Sequence, residues 1–259
     1  MFSRPIHFAL ALLTLAPILS AADPLVGAWK LNRDKSDFTG QTETIASLGN
    51  NKYRFTYGSA VSFVTTADGT DQPSTPGSTV AITIQDPNTW KIVSKSNGGP
   101  PFESMLKLSP DSKTITSEGS AKRPDGSDYK STAELKRVSG SSGFAGTWQV
   151  TNTKSASEVL LRFDPTSNGG LEMSWPKDKV SVTLSMDGKD CLVTGPTVPA
   201  DSTTSAKRVG ANGLHMVDKL KGKEMDTVDL KVSPDGKVLT MTEHDAGIKK
   251  TTVSVYDRT

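Results

Sequence analysis

A single cysteine, Cys191, occurs in 259 residues, so no internal disulfide can brace the chain and its stability must come from packed cores. Aromatic residues make up only 6%, too few for the two aromatic girdles of an outer-membrane barrel, and the last five residues, Val255-Tyr256-Asp257-Arg258-Thr259, are polar. Charge of either sign is not in excess. Of 30 Lys and Arg residues only Arg4 lies in the first 22, which leaves 29 against 28 Asp and Glu. A nucleic-acid binder gathers its cations on one face to displace counterions, and no such cluster is visible in the sequence. Beyond the first 22 residues no apolar run approaches the roughly 20 residues that a membrane-spanning helix needs. Apolar residues at the three-to-four spacing of an amphipathic helix are almost missing as well.

What is present begins with a leader. Residues 1–22 carry Arg4, an apolar stretch from Phe8 to Leu19, and Ser20 and Ala22 at the positions that signal peptidases read, so cleavage is expected near Ala22. The mature protein is accordingly expected to be secreted or periplasmic, without a membrane span.

The remainder repeats itself. Leu25-Val26-Gly27-Ala28-Trp29-Lys30-Leu31 matches Phe144-Ala145-Gly146-Thr147-Trp148-Gln149-Val150, and Asp68-Gly69 matches Asp187-Gly188. Ser109-Pro110-Asp111-Ser112-Lys113 matches Ser233-Pro234-Asp235-Gly236-Lys237, and Thr132 to Leu135 matches Thr252 to Val255. Landmarks in one order, with offsets that change only across turn-rich stretches, indicate two copies of one unit with loop insertions. The expected units are 23–138 and 144–259, with the Ser- and Gly-rich segment 139–143 as their linker.

Within each copy, period-two alternation recurs about every ten residues. Tyr53, Phe55 and Tyr57 alternate, as do Val80, Ile82 and Ile84, Leu171, Met173 and Trp175, and Val228, Leu230 and Val232. Tight-turn residues stand between these runs, among them Asp68-Gly69, Pro124-Asp125-Gly126 and Pro234-Asp235-Gly236. Each copy therefore reads as an all-β antiparallel meander of eight to ten strands. Such a meander closes into a barrel, which removes its edges, or splits into a sandwich; the barrel is the expectation and the sandwich the alternative.

The Gly-x-Trp-x-aliphatic heads, Gly27-x-Trp29-x-Leu31 and Gly146-x-Trp148-x-Val150, resemble the first strand of lipocalins and related calycin barrels. The fuller opening, Asp23 to Asn32 followed by Asp34-Lys35-Ser36-Asp37-Phe38, is similar to that of uncharacterised secreted bacterial proteins described as lipocalin-like. This resemblance implies that Trp29 and Trp148 close the barrel floors and that a basic residue near each last strand, Arg137 or Arg258, packs over an indole. Aligning the apolar residues, however, sets Arg258 opposite Val138 and Arg137 opposite Asp257. Avidin-like barrels open with a comparable motif, but with only Trp90 and Trp175 left over, a Trp-rich biotin pocket is not supported.

Chemistry-bearing residues are sparse. His215 alternates with Leu214 and Met216 and reads as a solvated strand residue, while Glu243-His244-Asp245 project to alternate faces of a strand and cannot all converge on a metal. Cys191 has no nearby histidine to activate it, and no Gly-x-Ser-x-Gly elbow exists. No catalytic residue, metal ligand or cofactor is therefore expected. The favoured expectation is a non-enzymatic binding protein for a small apolar or amphipathic ligand, with Tyr53, Phe55, Tyr57, Phe63 and Trp90 lining the first barrel and Met173, Trp175 and Met216 the second. The alternative is a structural or protein-interaction module whose cores are solid.

Overall fold

A computed structural model describes residues 23–57, 61–96, 99–245 and 251–259. The expected leader, 1–22, lies outside them. The chain forms β1 (Gly27–Leu31), β2 (Thr42–Ser47), β3 (Lys52–Tyr57), β4 (Val61–Thr66), β5 (Gln72–Pro73), β6 (Ser78–Asp86), β7 (Thr89–Ser96), β8 (Phe102–Leu108), β9 (Thr114–Lys122) and β10 (Asp128–Ser139). The second series is β11 (Gly146–Ser155), β12 (Leu160–Pro165), β13 (Leu171–Trp175), β14 (Val180–Leu184), β15 (Cys191–Leu192), β16 (Ser202–Arg208), β17 (Gly213–Leu220), β18 (Lys223–Val232), β19 (Val238–Asp245) and β20 (Thr252–Arg258). Single 3-10 turns at Arg33–Lys35 and Pro176–Asp178 are the helical elements among the described residues, and no described helix is long and apolar enough to cross a membrane.

These strands make two nearly closed, ten-stranded antiparallel barrels, a lipocalin-like architecture in general outline. Where the C-terminal barrel meets itself, Ser181 and Thr194 exchange two backbone hydrogen bonds of 2.9 Å. In the N-terminal barrel a side chain takes over that role. The Gln72 amide donates to the Thr66 carbonyl and accepts from the Thr66 N–H, each at 2.9 Å, and so imitates a peptide unit across the seam.

The barrels are not built from contiguous halves. The strand order is β14-β13-β12-β1-β20-β19-β18-β17-β16-β15 in one and β4-β3-β2-β11-β10-β9-β8-β7-β6-β5 in the other. Strand β1 thus completes the C-terminal barrel, with Trp29 beside Leu161 and Arg258, and β11 completes the N-terminal one, with Trp148 beside Glu43 and Arg137. The expected boundaries at 23–138 and 144–259 are corrected accordingly, and 139–143 is no linker but part of the turn of the β10–β11 hairpin.

Local connectivity explains the exchange. Strands joined by a short turn pair with each other far more readily than distant ones, so β11 folds back on β10 and fills the place that β1 would take in its own copy. Because the two heads carry the same Gly-x-Trp pattern, β1 fits the equivalent place beside β20. The chain then passes between barrels twice, through 32–41 and through 156–159. Lys30 pairs with Glu158 at 3.1 Å beside the second passage, and the Leu31 N–H donates to the Val159 carbonyl at 3.0 Å.

Each barrel has its own core. Ile45, Phe55, Ile82, Trp90, Ile115 and Trp148 anchor the N-terminal one; Trp29, Leu161, Phe163, Met173, Leu214 and Leu239 anchor the other. Burying a side chain of this kind contributes roughly 1.5–3 kcal/mol, and that burial replaces the disulfides the chain does not have.

Candidate functional site

The closed end of each barrel defines which end is open. Trp148 and Trp29 are fully buried, and their indole N–H groups donate to the carbonyls of Phe144 (2.9 Å) and Leu25 (2.8 Å), four residues upstream. A guanidinium lies 4.0 Å from each ring centroid, Arg137 over Trp148 and Arg258 over Trp29. Arg137 donates to the carbonyls of Ser112 (2.6 Å), Ala145 (2.8 Å) and Gly143. Arg258 does the same to Gly236 (2.5 Å), Val26 (2.7 Å) and Pro24. The planar fork of arginine suits this three-way clamp, which an ammonium could not reproduce.

The head glycines follow from that lid. Gly27 and Gly146 have φ of +132° and +151°, and a Cβ would come within 2.8 Å of the Arg258 guanidinium and 2.5 Å of that of Arg137. The two Ser-Pro-Asp turns belong to the same device. Ser109 and Ser233 each donate to the Asp two residues on and accept from the N–H of Thr114 and Val238. Ser112 and Gly236, both at positive φ, then present the carbonyl that takes the arginine Nε. Arg137 and Arg258 are therefore equivalent, contrary to the alignment that set Arg258 opposite Val138. The apolar match was one residue out of register, because Leu135, paired with Ile115, corresponds to Tyr256, paired with Leu239.

Above the floor of the N-terminal barrel the space is solid. Trp90 stacks on Phe144 with centroids 4.2 Å apart, and Tyr53 leans on Trp90 at 4.8 Å. Nearer the mouth, Phe55 and Phe63 stack at 5.4 Å and Tyr57 lies 6.3 Å from Phe63. Phe55, Tyr57 and Phe63, with Val61, Ile82 and Ile92, line a cavity of about 240 Å³. In the C-terminal barrel Met173 is buried among Phe163 and Val182, whereas Trp175 and Met216, with Val182, Val193 and Thr204, line a cavity of about 320 Å³. Of the eight residues expected from the sequence, five thus face a cavity, and Tyr53, Trp90 and Met173 are packing below it.

The open ends face one another. Both passages of the chain leave one mouth and enter the other, since β11 climbs from Trp148 at the floor to Ser155, and β12 descends from Leu160 to Phe163 opposite Gly27. Between the mouths lies a third cavity of about 440 Å³, lined by Ser94, Ser96, Phe102, Ala121 and Tyr129 from one barrel and by Val159, Trp175 and Thr197 from the other. Arg123 stands at its edge. It is 7% exposed, donates from Nη1 to the Glu158 carbonyl at 2.7 Å, and its guanidinium lies 5.1 Å from the Tyr129 ring. Its Nε is 3.6 Å from Asp178 Oδ1 and has no partner within hydrogen-bonding distance. The Arg123 bond to the Glu158 carbonyl and the Asp125 N–H on the Lys177 carbonyl, 3.3 Å, tie the two rims together.

One carboxylate shares the strand face of the N-terminal core. Glu43 alternates with buried Ile45 and is flanked by Trp148 and Tyr57, where desolvation raises its pKa from 4.5 to about 7. Tyr57 is pushed up as well, by burial and by the Glu43 charge. The equivalent of Glu43 in the C-terminal barrel, opposite Trp29, is Leu161. Sequence pattern could not have singled out Glu43 or Arg123. The first lies in a run with one apolar residue, Thr42-Glu43-Thr44-Ile45, and the second in a turn.

The two histidines lie on the outer surface. His215 and His244 flank Asp229, at 2.8 and 3.6 Å, on three adjacent strands of the C-terminal barrel, all largely exposed. Cys191 is half-buried near Ser185 and the Lys189 carbonyl, each at 3.6 Å. Among the described residues no group of three or more His, Cys, Asp or Glu side chains is placed to hold a metal ion. Comparison with protein-family models, with curated proteins and with solved structures gave no significant match.

Proposed function

We propose that this chain is an exported, non-enzymatic binding protein that holds a small apolar or amphipathic molecule within its barrels, in the manner of lipocalins. The observation that carries this reading is the contrast between the two ends of each barrel. One end is sealed by a buried Trp under a clamped Arg, and the other opens onto cavities lined by aromatic rings, methionine and branched aliphatics with a few hydroxyls. Pockets of mostly apolar wall with isolated polar groups are what small-molecule sites look like. Thr204 fits that pattern, being 2% exposed with an Oγ1 that has no hydrogen-bond partner. The leader at 1–22 would take the protein to the periplasm or the exterior, and the lipocalin-like heads agree with membership of that group.

The competing reading, a structural or protein-interaction module, draws support from the solid lower half of both barrels. Native mass spectrometry of the protein purified from the exported fraction of its own host separates the two. A co-purified small molecule supports binding; a homogeneous apo mass together with a co-purified protein would overturn it in favour of the module.

A further inference from the structure

The two barrel cavities differ in charge. Among the described residues, the one in the N-terminal barrel is lined by apolar side chains and by serine and threonine hydroxyls, with no charged group. The one in the C-terminal barrel has Trp175, Met216 and Met225 along its wall together with two charged residues, Asp218 and Lys219. Lys219 is already engaged, its ammonium lying 2.7 and 3.0 Å from the two carboxylate oxygens of Asp190. The Asp218 carboxylate, by contrast, makes no hydrogen bond or ion pair among the described residues.

The duplication shows where this difference arose. Trp90-Lys91-Ile92-Val93 corresponds to Leu214-His215-Met216-Val217, so Asp218 stands where the N-terminal copy has Ser94. Strand pairing keeps the same correspondence, with Ser94 opposite Val80 and Asp218 opposite Thr204. Asp218 follows the inward alternation of buried Leu214 and Met216, and both it and Ser94 line the cavity of their own barrel. On the next strand, Phe102 opposite Ser94 gives way to Asp226 opposite Asp218. One stretch of wall has thus become acidic in the C-terminal barrel alone.

From this contrast we infer that the C-terminal barrel selects a protonated amine, an ammonium on a small apolar body, with the ammonium at Asp218 and the body against Trp175 and Met216. This rests on the proposed binding function and adds to it the charge of the ligand and the barrel that reads it. A carboxylate set in a mostly apolar wall gives up part of its hydration, and an ammonium docking there restores that interaction as a charge-assisted hydrogen bond. Trp175 borders the same space, and indole is the aromatic face that attracts a cation best. A ligand with a carboxylate head would instead meet Asp218 as a like charge. The volume, about 320 Å³, sits at the lower end of the roughly 300–1,000 Å³ of ligand pockets, which keeps the apolar body small.

Calorimetric titration of the full mature chain at neutral pH with octylamine, octanol and octanoate, which share one chain and differ in head charge, tests the inference. Octylamine should bind at least about tenfold tighter than octanol, and octanoate weakest of the three. Asp218→Asn should weaken octylamine by at least about tenfold and leave octanol within about twofold, whereas Glu43→Gln, at the inward carboxylate of the other barrel, should leave the order unchanged. The order of the three heads in the unsubstituted protein stands even if Asp218→Asn fails to fold. Octanoate binding as tightly as octylamine, or an amine preference that survives Asp218→Asn or disappears with Glu43→Gln, would overturn the amine site while leaving ligand binding in place. No uptake of any of the three would sink the binding function and the amine site with it.

Discussion

Replacing Trp29 by Ala should damage the barrel at the far end of the chain. Trp29 is fully buried and lies between β12 and β20, beneath Arg258. Truncating a buried Trp or Phe to Ala costs about 3–5 kcal/mol, and the lost attraction between indole and guanidinium, about 0.5–2 kcal/mol, belongs to the same change. Against a domain stability of about 5–15 kcal/mol, that is enough to expose the C-terminal barrel to frequent opening. Since about 1.4 kcal/mol corresponds to a factor of ten, amide hydrogen exchange in β12 to β20 should accelerate by at least about a hundredfold. Strands β6 to β9 should change far less. A disulfide test reads the same pairing directly. With Cys191→Ser as background, Lys30→Cys with Asp257→Cys should oxidise to an intramolecular bridge, because those residues are cross-strand partners at a separation that suits a disulfide. Lys30→Cys with Lys136→Cys, the pair that contiguous barrels would bring together, should not. Faster exchange centred on β6 to β9 in Trp29→Ala, or bridging in the second cysteine pair, would refute the exchanged strands.

Gly146→Ala should be poorly tolerated, because its Cβ would stand 2.4 Å from the Ser139 carbonyl oxygen and 2.5 Å from the Arg137 guanidinium at a φ of +151°; a fall in melting temperature of several degrees, with a change in near-ultraviolet circular dichroism from Trp148, is the expected reading. Glu43 should make stability fall as pH rises. Between about 4.5 and 7 the unfolded chain has lost this proton while the folded one keeps it, so ionisation favours unfolding by about 1–3 kcal/mol, allowing for the partial solvent access of the side chain. Urea unfolding of wild type and Glu43→Gln across that window checks this, and an identical pH slope in both would show that Glu43 does not supply it.

The alternation of Tyr53, Phe55 and Tyr57, or of Val228, Leu230 and Val232, was enough to read strands, since a two-residue period admits only one apolar face. Turn residues such as Asp68-Gly69 and Pro234-Asp235-Gly236 marked where the strands reverse, and the duplicated Gly-x-Trp heads showed that one unit had been laid down twice. Cavity-lining residues were legible only in part. Phe55 and Trp90 carry the same signal in sequence, yet one borders open space and the other stacks on Phe144, because depth along a barrel leaves no trace in a local pattern.

Composition and periodicity, together with the repeated heads, by themselves determined strands, antiparallel neighbours, two like units and cores that work without disulfides, but left barrel and sandwich open. Which barrel each head strand joins was decided only in three dimensions. Two nearly identical strands compete for two nearly identical slots, so local pattern cannot choose between them; the short β10–β11 connection does, by pairing β11 with its predecessor and sending β1 to β20. The apposed mouths, the buried guanidinium of Arg123 and the carboxylate of Glu43 beside Trp148 all follow from that long-range choice, which is why no stretch of sequence announced them.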